Sequence, residues 1–366
     1  MVKYPVAKAS LIKFMRKSFF ILFLLVVLRN MDVSAQRVHS SQFYSIPLLL
    51  NPALTGNSDY NLRAGMNYRN QWNSVTTPFV SQSVFIDGKL STQLLSSSWL
   101  GIGGMIFNDK AGEGSLKTTQ VMLAASLNKS LNAGNTLFLH AGIGMELVNK
   151  SVDYNKLVFD DQWDGKLFDP NYQTGEPLGT QSLFYTDFSA GVMATYFRGK
   201  SKFFMGTAVS HLNQPNESFY QVTNNLKRRF VWHGGMESRL NSRLYIKPEI
   251  MHITENNANE WITGANFMML YGEKGTILHY GLWYRFTKDI IPVFGYEKKR
   301  MKILISYDIN VSDLQTASSN RGGLEISLTY NYNYSNPREI RKLKRRQKVK
   351  KLGDKAISCP KFSHED

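Results

Sequence analysis

The chain of 366 residues has a single cysteine, Cys359. That excludes an intrachain disulfide and a zinc site built from cysteines. Long apolar runs are nearly absent. Residues 18–28, SFFILFLLVVL, are too short for a confident helical span, and no other stretch reaches the roughly 18 apolar residues that one needs. With a mean hydropathy of −0.28, a helical membrane protein is excluded. Catalytic patterns are missing as well. There is no Gly-rich phosphate loop, no His-Glu-x-x-His and no EF-hand register. The acids Asp160, Asp161, Asp164 and Asp169 lack the Asp-x-Asp-x-Asp-Gly spacing of a calcium loop. His140 and His279 lie on the faces of their segments opposite most apolar residues, so no lipase-like Ser/His arrangement stands out. No enzyme, metal or cofactor is expected.

The net charge of +16 suggests an anionic partner until it is divided along the chain. Residues 1–35 hold six basic residues and one acid, and residues 338–366 hold eleven and four. What remains is nearly neutral and does not read as a nucleic-acid binder. The basic start, the apolar 18–28 run and Val33-Ser34-Ala35 have the layout of a secretory signal peptide, with cleavage between Ala35 and Gln36. An uncleaved signal anchor is the alternative, and Met15 could be the true start.

From residue 61 to 334 the sequence is a relay of alternating segments separated by Gly, Asn, Ser and Asp turns. Strands are expected over 61–69, 79–87, 100–107, 117–128, 136–148, 185–196, 202–210, 230–239, 243–253, 261–271, 276–286, 290–296, 301–309 and 323–334. In 136–148 the residues Leu137, Leu139, Ala141, Ile143, Met145 and Leu147 share one face, and Phe138, His140, Gly142, Gly144 and Glu146 the other. A soluble sandwich also has two unlike faces. Segments of ten or more residues, with aromatics gathered at their ends, favour a membrane barrel. Backbone groups in lipid have no partners but each other, so only a closed barrel can cross as sheet.

The expected fold is therefore all-β, an outer-membrane transmembrane β-barrel of about fourteen antiparallel strands. Its parts are a signal peptide (1–35), an N-terminal periplasmic segment (36–60), the barrel (61–335) and a short basic C-terminal periplasmic tail (336–366). An even strand count puts both termini on the periplasmic side. The long irregular stretch 151–183 then falls outside the cell. The tail, with Pro337 at a helix-start position, reads either as a short basic helix or as a disordered charged end.

Several motifs, in order, resemble the PorP/SprF family of type IX secretion membrane proteins of Bacteroidetes. Gln42-Phe43-Tyr44 through Asn51-Pro52-Ala53-Leu54-Thr55-Gly56 is similar to its opening. Tyr68-Arg69-Asn70-Gln71-Trp72, Ser210-His211-Leu212-Asn213-Gln214-Pro215 and Gly281-Leu282-Trp283-Tyr284-Arg285 resemble later elements. Tyr307-Asp308-Ile309 with Gly322-Gly323-Leu324-Glu325-Ile326-Ser327-Leu328 resembles its close, and Cys359-Pro360-Lys361-Phe362 the end of some members. The resemblance implies a barrel that helps export or retain a large surface protein, often a gliding adhesin. Its implied partners are that protein's C-terminal signal domain, periplasmic secretion components and outer-membrane lipid. A transport channel for a small solute is the alternative.

Candidate partner or lumen contacts are Asn51, Pro52, Arg69, Trp72, His211, Pro215, Arg285 and Asp308. Pro52 lacks a donor and cannot sit mid-strand, so Asn51-Pro52-Ala53 reads as a periplasmic turn or a plug-like segment. Strand parity points Arg69, Arg285, Asp308, Asp187, His140 and Glu146 into the lumen. There they form either a network that holds the barrel's shape or a surface for an exported segment. His211 reads as a loop anchor or as a ligand.

Overall fold

The computed structural model describes residues 40–71, 77–90, 98–169, 172–220, 222–272, 275–287, 289–311 and 321–333. The expected cleavage site at Ala35 and Gln36, Trp72 and the basic tail lie outside the described residues. Fourteen strands form one closed antiparallel barrel in sequence order, with the first pairing with the last. They are β1 (Leu62–Gln71), β2 (Phe79–Leu90), β3 (Ser98–Ala111), β4 (Leu116–Ser130), β5 (Leu137–Ser151), β6 (Ser182–Arg198) and β7 (Ser201–Ser210). They continue as β8 (Arg229–Arg239), β9 (Leu244–Glu255), β10 (Ala258–Tyr271), β11 (Thr276–Arg285), β12 (Asp289–Lys298), β13 (Met301–Asn310) and β14 (Arg321–Tyr332). The alternation predicts every one of these strands, and most extend a few residues past the expected ends.

The pleat explains the sequence pattern. Successive side chains point to opposite faces, so one set meets lipid and the other the lumen. Met66, Val84, Ile86, Ile106, Leu123, Ile143, Met205 and Leu282 are exposed on the outer face. Tyr68, Trp232, Tyr284 and Tyr307 ring this face near one mouth, and Tyr196, Tyr271, Tyr296 and Tyr330 near the other. Two such girdles are the mark of a membrane barrel.

The mouths differ. Two-residue turns join β6 to β7 and β12 to β13 at one mouth, whereas the longest connections, 152–181 and 211–228, are at the other. The strand count brings the start of β1 and the end of β14 to the short-turn mouth.

The inner face mixes small polar residues with large apolar ones. Phe85, Met105, Phe107, Met122, Ile262, Trp283, Ile291 and Val293 are buried there, packed against residues 43–50. The segment expected as periplasmic, 36–60, occupies the lumen from Ser40 onward. It passes through helical turns at Phe43–Ser45, Pro47–Leu50 and Pro52–Leu54 and reaches the short-turn mouth at Gly56. The physical reason for this departure is burial. Ile46 and Leu48, 2% and 1% exposed, find apolar partners only inside the wall. Ser41 sits at the long-loop mouth, so the described chain starts at the mouth opposite the one where β14 ends.

Candidate functional site

The inward strap, residues 40–57, and the wall that grips it form the site. Its tightest grip is at the long-loop end. Arg69 near the end of β1 faces Glu325 of β14 in register. Its guanidinium lies 3.0 Å from Glu325 and 2.7 Å from Asp308. Arg285, the last residue of β11, reaches Glu260 at 2.9 Å, Asp289 at 3.0 Å and Asp308 at 3.2 Å. The β13–β14 register shifts between Tyr307 and Ile309, placing Asp308 at an irregularity that breaks the ladder and re-aims its carboxylate.

Ser41 completes this cluster. Its hydroxyl accepts from Arg69 at 2.5 Å and from Arg285 at 2.8 Å, and it donates to Asp308 at 2.7 Å. One donor and two acceptor positions are thus all used. Four carboxylates face two guanidiniums, and strap donors supply the balance. Ser41 N–H donates to Glu325 at 2.8 Å and the Ser40 hydroxyl at 2.6 Å. Gln42 donates to Ser306 and accepts from Ser327. Charges this deep are tolerated only when fully paired.

In mid-lumen, Asn51 caps the short turn that Pro52 opens, its side-chain oxygen accepting from Ala53 N–H at 2.9 Å. Asparagine at a cap and proline at the first position suit a helical start. The Asn51 amide also donates to the carbonyls of Val192 and Thr207 and lies 3.0 Å from His233 Nε2. The wall has no side chain where the strap crosses it. A Cβ on Gly142 would lie 2.4 Å from the Pro52 and Ala53 backbone, and one on Gly191 would lie 2.0 Å from Asn51. At the short-turn end Asp87 holds Gly56 N–H at 2.7 Å and binds Arg63 through two bonds. Trp99 donates to the Gly56 carbonyl at 3.1 Å.

The structure thus gathers Asn51, Pro52, Arg69, Arg285 and Asp308 along one strap. His211, at the start of the β7–β8 loop, lines a cavity against the strap at Leu48–Leu50 and Pro52, whereas Pro215 lies further along that loop. His211 hydrogen-bonds the Asp187 carboxylate through Nδ1, and Pro215 is buried with its carbonyl accepting from Leu226 N–H. His140 is satisfied on both ring nitrogens, by Asn128 at 2.6 Å and Thr195 at 3.0 Å. Sequence reasoning did not single out Ser41, Glu260, Asp289 or Gly142 as site residues. For the acids and the glycine, inward parity was the available signal. Nothing local distinguishes Ser41 from Ser40.

A closed antiparallel wall with an apolar exterior, two aromatic girdles and a lumen filled by its own N-terminal segment defines a plugged outer-membrane β-barrel. Within that class, the chain belongs to the type IX secretion system membrane protein PorP/SprF family, whose model matches residues 32–330. No curated protein matches it. Among solved structures it is similar to the toluene transporter TodX of Pseudomonas putida, at 12% identity over 83% of this chain and 96% of that one, with a TM-score of 0.48. The Ralstonia pickettii toluene transporter TbuX matches at 10% identity over 80% and 94%, TM-score 0.46. A Pseudomonas aeruginosa FadL homologue matches at 9% over 77% and 93%, TM-score 0.44.

Proposed function

We propose that this protein is an outer-membrane accessory of type IX secretion. It assists export or surface retention of a large, gliding-adhesin-like protein by binding that protein's C-terminal signal domain, and it works alongside periplasmic secretion components. The family match over 32–330 carries this reading. The strap supports it over a small-solute channel, because its apolar side chains pack across the lumen against the wall. In this reading the mouth with the long 152–181 and 211–228 connections faces outward and the short-turn mouth faces the periplasm.

Deleting the gene is expected to abolish surface display of the exported partner, and the purified signal domain is expected to co-purify with the full-length barrel. Normal display in the deletion strain would overturn the reading. The signal peptide is expected to leave after Ala35, so N-terminal sequencing of the membrane protein should begin at Gln36. Retention of Met1 or Met15 would contradict this.

A further inference from the structure

Beyond the membrane band, apolar side chains have no lipid to meet. Yet the β5–β6 connection exposes Val158, Trp163, Leu167, Phe168 and Tyr172, each by 49% or more. These side chains stand on an ordered scaffold. Trp163 and Phe168 pair across a small hairpin, with ring centroids 4.8 Å apart. Asp164 closes its turn by accepting from Lys166 and Leu167 N–H at 2.7 and 2.6 Å. The Leu167 and Lys166 amides hold the Asp164 carboxyl below the ordinary carboxylate range. Beneath lies Gln162, buried to 6% exposure, which accepts from Phe159 N–H and donates to the Tyr172 carbonyl. Asp161 ties Thr174 and Gly175 to the same unit.

A loop braced by a buried glutamine and by hydrogen-bonded acids, holding aromatics out toward water, is a preorganised contact surface. Exposed apolar patches rimmed by charge mark interaction sites, and rigid aromatic anchors are what such sites use. The charge narrows the occupant. Residues 157–178 carry five acids and one lysine. Anionic lipid headgroups are repelled by that surplus, and so is a second copy of the same loop.

We infer that Val158, Tyr172 and the Trp163–Phe168 hairpin form a docking surface for a protein segment combining apolar side chains with lysine or arginine. The aromatics take the apolar part, and Asp160 and the other exposed acids select the basic one. This holds whichever exported protein the barrel serves, so it can fail without the secretion reading failing.

The test uses full-length protein in phosphatidylcholine nanodiscs, with fluorescent short peptides alternating lysine and leucine or glutamate and leucine, read against empty discs. The lysine peptide is expected to bind about tenfold more tightly than the glutamate peptide. The double substitution Trp163→Ser with Phe168→Ser is expected to remove about that tenfold, with heat-modifiable barrel migration unchanged. Leu167→Ser, on the most exposed of these side chains, should weaken binding by itself even if the double variant disturbs the hairpin. Equal binding of both peptides, or variants that bind as the parent does, would overturn the proposal. So would a parent that binds phosphatidylglycerol vesicles or its own copies through these residues while ignoring the lysine peptide.

Discussion

Asp308 stands between two guanidinium groups, Arg69 at 2.7 Å and Arg285 at 3.2 Å, and is 2% exposed. Removing one partner from such a buried arrangement leaves uncompensated charge, at about 3–5 kcal/mol. Asp308→Ala is therefore expected to lower the urea midpoint of the folded barrel sharply, and a change under about 1 kcal/mol would count against the network's structural weight. Neighbouring residues in β5 give a second contrast. Ala141 faces lipid near mid-strand, where arginine costs about 2–4 kcal/mol. Gly142 faces inward, where parity alone would let a substituent stay hydrated. The structure removes that freedom, since even a Cβ would meet the strap backbone at 2.4 Å. Ala141→Arg should block membrane insertion, whereas Gly142→Ala should leave the wall inserted and displace the strap. Limited proteolysis within 40–57 reads that displacement.

The strap is an element without a regular period. It is three short helical turns held by side chains from opposite sides of the wall. Its contacts are polar at both ends and at Asn51, with apolar packing between, so it is fixed in position along the axis rather than merely trapped. Deleting 40–57 is expected to leave a barrel, because the strand ladder closes without it. It also removes what packs the lumen, so single-channel conductance is expected to rise above that of the intact protein. Unchanged conductance would mean that other groups block the path. The wall strands behave differently, being dictated residue by residue by their alternation.

At the scale of the molecule, the two mouths are chemically distinct. The long-loop mouth carries the aromatic hairpin and the buried charge cluster, and the short-turn mouth carries exposed Lys200, Lys299 and Arg300. In a Cys359→Ser background, Lys227→Cys should react with an impermeant maleimide on intact cells, and Lys299→Cys only after permeabilisation. The reverse pattern would invert the proposed orientation. β14 ends at Tyr332, so removing 337–366 should leave a folded barrel. With nine basic residues in 338–351, we propose that the tail docks on an acidic surface. Impaired display of the exported partner is the expected result, and normal display would end the docking reading.

Strand number and the lipid-facing set follow from alternation because each choice is local. A residue's face is set by its parity, and a one-residue slip would turn every apolar side chain the wrong way. The sequence therefore determined the wall, and with it the inward direction of Arg69, Arg285 and Asp308. It left open whether Asn51-Pro52 formed a turn outside or a plug within, since both conformations suit the same residues. Only the tertiary structure decided that. The glycines at 142 and 191, far apart in sequence, form one seat only when β5 and β6 lie side by side. Ser41 becomes the centre of a charge cluster only when β1, β11, β13 and β14 converge on it. Such a site depends on long-range closure, for which no local period exists in the chain.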